Sequence, residues 1–412
     1  MSVFRFAHKF FGGNEIAILA ALVLQTIGIL ALSSATHTVD TSGQVSALVL
    51  RQTIFFGIGL VLCMAVIAIP LRILQAFSYL IFSLSILSLI AVLILGRAGM
   101  GAERWLAFGP VRFQPSEFAK VALILALARL LTERSQEWNR IRTLILATAL
   151  SVLCMGLVLV EPDFGTSVVY PILLFVMLFW AGVPPIALLI MASPLAIIPA
   201  GFHWISLAVV LIAIAIVLYL NRTRFLIAVS VLAVLMGIGL ATPNLWSHLH
   251  PYQQRRIQSF LNPNADPMGS AYQLIQSKVT IGSGGFAGKG FLKGTQTHLK
   301  FLPEQHTDFI FSVWGEEFGF LGSMLVLGAF LVLVVKSLLL STKVRNAFMG
   351  ALCAGIAAFF LIHVFVNIGM TLGMLPVTGL PLPFMSYGGS MLLSSWLLVG
   401  LMTSAARQWR EY

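Results

Sequence analysis

Residues 15–32 read EIAILAALVLQTIGILAL, one carboxylate followed by an uncharged and almost wholly apolar run. As a helix at about 1.5 Å per residue, such a run nearly spans the ~30 Å of hydrocarbon in a bilayer. The apolar core of a cleaved leader is only about 7–15 residues long. The run therefore reads as a first membrane span, preceded by the basic residues Arg5, His8 and Lys9.

The pattern repeats along the chain, which is 412 residues long, 59% hydrophobic and only 9% charged, with a mean hydropathy of +0.97. A soluble protein carries about a quarter of its residues as charges, so most of this surface must face lipid. Composition excludes a soluble enzyme and gives an all-α class, a polytopic membrane bundle of about 10–12 transmembrane helices. Spans are expected near 15–34, 53–70, 73–96, 117–132, 143–160, 166–182, 186–202, 203–220, 225–242, 309–335, 347–368 and 388–405. Pro184, Pro185, Pro194 and Pro199 interrupt the interval 183–242 and leave one hairpin there open to a re-entrant reading. The expectation is one transmembrane domain over 1–412, with a large extracytoplasmic loop at 243–308, carrying a surface helix, before the last three spans.

The net charge of +11 is informative only by location. Short cytoplasmic loops collect Lys and Arg. With the N-terminus inside, those loops hold Arg72, then Arg134, Arg140 and Arg142, then Arg222 and Arg224, then Lys336, Lys343 and Arg345, and finally Arg407 and Arg410. Both termini are then cytoplasmic. Asp40, Glu103, Glu117, Glu161, Asp163, Asp266, Glu304 and Asp308 fall on the outer side or just inside helix ends. The loop's basic residues, Lys278 among them, suit an anionic partner such as a phosphate or headgroup, or are simply solvated. Cys63, Cys154 and Cys353 lie in apolar runs and read as small buried hydrophobes; their placement fits neither a disulfide nor a zinc site.

Five polar stretches carry candidate chemistry. In GAERWLAFGPVRFQPSEFAK (101–120), Glu117 and Lys120 share a helix face at i, i+3, as an interior ion pair or a structural clasp. Arg104 and Trp105 just before them serve as interfacial anchors or headgroup contacts. In EPDFGTS (161–167), Asp163 either caps the next helix or meets ligand. The loop stretch NPNADPMGSAYQ (262–273) centres on Asp266, whose ordinary explanation is an Asx-turn. It leads into an amphipathic surface helix, then into GSGGFAGKG, whose free N–H groups suit phosphate. FLPEQHTDFIFSVWGEEFG (301–319) offers Thr307 or Asp308 as a cap and sets Glu316 and Glu317 two turns deep. The prolines and glycines of NIGMTLGMLPVTGLPLPFMSYGGS (367–390) preclude regular helix, so that backbone must be buried in protein or line a cavity.

RFQPSEFAK, EPDFGT, PYQQRRIQSFLNPNADPMGSAYQLIQSK, FLPEQHTDFIFSVWGEEFG and GLPLPFMSYGGS together resemble the shape, elongation, division and sporulation (SEDS) proteins, in family order over about a third of the chain. The stretch GTQTHLKFLPEQHTDFIF is closer to the rod-shape branch than to the division branch. The resemblance implies a peptidoglycan glycosyltransferase that polymerises lipid II at the outer face of the bacterial cytoplasmic membrane, for wall elongation and cell shape. It further implies a class B penicillin-binding protein and other elongation-complex membrane proteins as partners, and no nucleic acid. The family's essential acid falls on Asp266, its ion pair on Glu117 and Lys120, its outer Arg-Trp on Arg104 and Trp105, and its post-helix carboxylate on Asp163. Lys278, His306, Asp308 and Ser386 complete the substrate-binding set that the matched motifs supply. The family has ten spans, so 183–242 holds an extra hairpin here, and Met391 stands where a small residue is expected.

Glycan growth requires a base for a sugar hydroxyl, expected to be Asp266, and positive charge on the departing pyrophosphate. Arg104, Lys120 and a divalent cation, Mg²⁺ or Mn²⁺, are the candidates, with Asp163 as a candidate metal ligand. The rival class is a flippase for a lipid-linked precursor, with His363, Glu316 and Glu317 as its deep ionisable groups. A division-type polymerase and a passive docking scaffold stand beside it.

Overall fold

The computed structural model describes residues 13–37, 46–95, 97–99, 102–108, 111–133, 140–249, 251–263, 266, 269, 271–299 and 301–408. Arg5, His8, Lys9, Asp40, Arg134 and Arg410 lie outside them. The architecture is a polytopic helical bundle. Helices α1 (Glu15–Ala35), α2 (Ala47–Ala68) and α3 (Leu71–Leu95) lead into three short strands, β1 (Arg97–Gly99), β2 (Ala102–Phe108) and β3 (Val111–Phe113). Then come α4 (Pro115–Glu133), α5 (Arg140–Val160), α6 (Phe164–Trp180), α7 (Pro185–Ala192), α8 (Pro194–Ala200), α9 (Trp204–Leu220) and α10 (Phe225–His248). The large loop carries α11 (Pro251–Leu261), α12 (Tyr272–Ser283) and α13 (Thr295–His298); α14 (Ile310–Lys343), α15 (Ala347–Thr371) and α16 (Gly389–Gln408) finish the chain.

Among the described residues, eight helices are long and apolar enough to cross a membrane, and Phe164–Trp180, Pro185–Ala200 and Trp204–Leu220 are shorter apolar helical stretches. With α4 they occupy the twelve expected positions. The chain packs as two compact units, residues 1–177 with 263–412, and residues 178–262. The second unit has its own small core of Ile197, Leu207, Ile214, Leu218 and Leu235. The large loop is divided by this boundary, so α11 belongs to the second unit and α12 to the first. Three boundaries differ from expectation by six residues or more: α2 starts at Ala47 rather than 53, α10 runs through Pro243 to His248, and α14 reaches Lys343 rather than 335.

In the first unit α15 and α16 are the most enclosed helices. Helix α4 is buried from Pro115 to Ala128 except at Phe118, which lets it carry charge that a lipid-facing helix could not. Caps are local. The Ser46 hydroxyl accepts from the Val49 amide at 3.3 Å, and Asn346 Oδ1 accepts from Phe348 N–H at 2.9 Å, each satisfying an orphan donor of its helix. The cysteines are buried, as expected.

Long-range hydrogen bonds define the two ends of this unit. At one end, Asn14 Nδ2 donates to Thr403 Oγ1 at 2.9 Å and Leu71 N–H to Gln408 Oε1 at 3.1 Å. At the other, Gln305 Nε2 donates to Ala35 O at 2.8 Å and Gln114 N–H to Ser390 Oγ at 2.9 Å. This second end, the loop end, also receives α12 and gathers every polar motif of the first unit.

Candidate active site

The buried ion pair is real and sealed. Lys120 Nζ lies 2.9 Å from Glu117 Oε1 and 2.8 Å from Oε2, with neither side chain more than 1% exposed. The third contact of the ammonium is His363 Nε2 at 3.1 Å, so every contact of the ammonium lies inside the protein. Tyr170 OH, on α6, steadies the same turn by donating to Ser116 O at 2.9 Å. The pair is an interior one, with the Lys120 side chain wholly buried.

Of the irregular segment 372–388, the stretch 382–386 is buried in protein, whereas Leu372 and Met374 are exposed. Asn367 Nδ2 donates to Leu380 O at 2.8 Å and to Asp308 O at 3.0 Å. Ser386 Oγ donates to Thr307 O at 2.6 Å and accepts from Leu382 N–H at 2.8 Å, while Tyr387 N–H donates to His306 O at 3.0 Å. Gln52 completes the brace, giving Nε2 to Ser386 O at 3.1 Å and taking Gly388 N–H at 3.3 Å. Ser386 is thus a strut within the fold, and Asp308 contributes its carbonyl to the same brace. His306, half-buried, lines an open cleft of about 460 Å³ with Thr36, Ser46, Leu302 and Glu304.

Asp163 precedes α6 and accepts from Thr166 N–H at 3.2 Å and Thr166 Oγ1 at 3.0 Å, which is the capping geometry. Gln114 Nε2 reaches its Oδ2 at 3.5 Å. Around the capping carboxylate stand donors, and among the described residues no three His, Cys, Asp or Glu side chains gather to hold a metal. The first turn of α6 packs hard on the irregular segment, since a Cβ on Gly165 would collide with Thr378 O.

The glycine run has a different task from phosphate binding. Helix α14 breaks at Gly319 (φ 60°, ψ −154°), and the segment 284–290 fills the break. Lys289 N–H donates to Glu316 O at 3.1 Å and Gly290 N–H to Glu317 O at 2.9 Å, while Phe320 N–H and Leu321 N–H donate to Gly285 O and Phe286 O at 3.0 and 3.1 Å. These four bonds stand in for the two that a continuous helix would make between residues 316–317 and 320–321. Side chains at 284 and 288 would collide with the carbonyls of Gly315 and Glu317, and Gly288 sits at φ +81°; hence the glycines. Glu316, fully buried, accepts from Lys289 Nζ at 2.6 Å, Gln296 N–H at 2.9 Å, Thr297 N–H at 3.1 Å and Thr297 Oγ1 at 2.8 Å. Glu317 accepts from Ser34 Oγ and, at 3.0 Å, from Leu292 N–H.

Asp266 is exposed. Its carbonyl accepts from Ala271 N–H at 3.2 Å, and its carboxylate folds over Gly269, where a Cβ would strike it. The turn feeds α12, which is pinned to the loop end by Ser277 Oγ, 2.8 Å from Ser312 Oγ and donating to Thr371 O at 2.7 Å. Lys278 is exposed on the same helix, its stem lying over Gly373. Trp105 is half-buried and pairs in register with Arg97 across β1 and β2; the Arg104 side chain lies outside the described part.

The sequence matches the family described as "Cell cycle protein" (FtsW/RodA/SpoVE) over residues 14–209 and 203–411. It is 35% identical to the peptidoglycan glycosyltransferase MrdB of Escherichia coli (strain K12) across 89% of this chain and 87% of that protein. The peptidoglycan glycosyltransferase RodA of Treponema pallidum (strain Nichols) is also 35% identical, across 96% of this chain and 98% of its own length. The chain belongs to the FtsW/RodA/SpoVE, or SEDS, family. Among solved structures it is similar to a chain of a peptidoglycan synthase complex that coordinates polymerization and crosslinking (TM-score 0.70, 30% identity, 96% of this chain and 98% of that one). The rod shape determining protein RodA of Thermus thermophilus superposes with a TM-score of 0.63 at 26% identity, covering 95% and 96%.

In this SEDS chain the residues that sequence reading misses are the lone amides: Gln52, Gln114, Gln305 and Asn367. Each sits in or beside an apolar helix, and each spends its side chain bracing the loop end. The available signal is their placement, because an amide in hydrocarbon must find a partner.

Proposed function

We propose that Asp266 is the base through which this peptidoglycan glycosyltransferase lengthens glycan chains from lipid II at the outer membrane face. The single observation that supports the role is the carboxylate's place: exposed, at the turn before α12, on a loop pinned to the end of the bundle that gathers the signature motifs. A sugar hydroxyl attacks the anomeric carbon of a second, lipid-linked sugar. The new glycosidic C–O bond forms as the bond from that carbon to pyrophosphate breaks; the hydroxyl proton passes to the Asp266 carboxylate, and the lipid pyrophosphate leaves with the electron pair. Lys278 and Arg104 supply positive charge to the leaving group, in place of the sealed Lys120. Any Mg²⁺ or Mn²⁺ arrives with the pyrophosphate as part of the substrate, because Asp163 is committed to capping α6.

The loop end then faces outward, both termini are cytoplasmic, and the partner is a class B penicillin-binding protein that cross-links the product within the elongation complex. The likeness to a chain from a complex of polymerization and crosslinking supports that pairing, and the 35% identity to MrdB and RodA supports the elongation role. The transport reading loses its groups: Glu316, Glu317 and His363 are all committed to internal partners.

The test is polymerisation of lipid II by the purified full chain, with and without its transpeptidase. Asp266→Ala is expected to lower turnover at least about 100-fold, the lower range for removing a general base, without changing the thermal midpoint in detergent. Turnover equal to the parent would overturn the assignment.

A further inference from the structure

Depth alone would set His363 beside a transport role, and glycosyl transfer at the loop end leaves it without a task. It is fully buried on α15. Its Nε2 lies 3.1 Å from Lys120 Nζ, its Nδ1 lies 3.2 Å from Pro381 O, and its ring is 4.5 Å from that of Phe359. These partners decide the tautomer. An ammonium can only donate, so Nε2 must be a lone-pair acceptor; a prolyl carbonyl can only accept, so Nδ1 must carry the hydrogen. The imidazole is neutral and has one function on each side.

The bridge joins parts far apart in sequence. Lys120 belongs to α4 and Pro381 to the irregular segment. One helical turn further along α15, on the same face as His363, Asn367 donates to Leu380 O and Asp308 O. The two side chains grip consecutive carbonyls, those of Leu380 and Pro381. Just downstream, Ser386 and Tyr387 hold the carbonyls of Thr307 and His306. A displacement at 381 is therefore transmitted to the strap 304–308 at the mouth of the cleft.

We propose that His363 is a positioning residue: a neutral Nδ1–H imidazole that ties the Lys120 clasp to Pro381 and so holds segment 380–388 and the 304–308 strap in register. The proposal rests on the glycosyltransferase reading above. It explains why a histidine stands in an otherwise apolar stretch, FFLIHVFV: leucine would fill the space but make neither contact, whereas glutamine keeps one donor and one acceptor.

The experiment compares the purified full chain with H363L and H363Q on lipid II, each checked for its thermal midpoint. H363L should lose about tenfold or more in kcat, since small misplacements near a reacting centre cost up to about 100-fold, with KM within about twofold. H363Q should recover most of the loss. In parallel, ¹⁵N spectra of histidine-labelled parent protein at neutral pH, with the His363 signals identified by their absence in H363Q, should show the neutral Nδ1–H tautomer. Parent-like kcat in H363L would overturn the proposal, as would H363Q no better than H363L at an unchanged midpoint, or an imidazolium signature. If the parent itself makes no glycan, the glycosyltransferase reading fails, while the spectra still decide the bridge. If H363L does not fold, H363Q and the spectra carry the test.

Discussion

Two of the places where the first unit buries charge, the clasp and the break in α14, do so by different means. At the clasp, Lys120 and Glu117 neutralise each other side chain to side chain, with His363 as third partner, and none of the three reaches solvent. At the break in α14, Glu316 is equally buried, but most of its partners are main-chain amides and hydroxyls of the loop, and its one cation, Lys289, keeps 25% of its side chain exposed. The clasp is a property of helix packing and can be undone by one substitution. The second site is a property of a folded loop, and no single side chain accounts for it.

That contrast sets an order of effects. The largest is expected for Lys120→Met. It strands a buried carboxylate, and breaking one side of a buried pair costs about 3–5 kcal/mol; the added change Glu117→Gln should recover much of this, because neutral replacement of both partners is tolerated. Thermal unfolding in detergent measures both, and a single mutant as stable as the parent would erase the distinction. Glu316→Gln should cost less, about 1–3 kcal/mol, the penalty of leaving a buried donor facing a donor; protection of the 284–297 amides from hydrogen exchange should fall in step. The smallest effect belongs to Lys289→Met, at most about 1 kcal/mol for a partly solvated pair. Its contribution should fade between low and high salt, whereas the Lys120 effect should not.

The spans are legible in the sequence because hydrocarbon imposes one solution on the backbone, and the alternation of basic connectors groups the motifs that the fold brings to one end. Other features are hidden for physical reasons. The glycines in GSGGFAGKG announce a close backbone approach, but the approaching backbone is at 315–321, some thirty residues on, which local pattern does not name. Glu316 and Glu317 look too deep to be casual, and they are; their partners come from the loop and, for Glu317, from Ser34 on α1 rather than from a transport path. The strands at 97–113 fall where hydropathy marks only a connector, although Gly109-Pro110 separates two short runs as a hairpin turn does. The division at 177 and 262 is not drawn by the spacing of spans, which continues across it, although residues 178–262 contain no Asp or Glu.

The exchange of hydrogen bonds at Gly319 has a consequence for biogenesis. A span inserted without residues 285–290 would expose the amides of Phe320 and Leu321 and the carbonyls of Glu316 and Glu317 at the membrane boundary, a cost of several kcal/mol each where water is scarce. The loop is made before that span, so it must wait for its host; once the two have met, neither can depart without unravelling the other. This part of the loop end cannot lift away as a flap, and whatever moves during a synthetic cycle must hinge elsewhere.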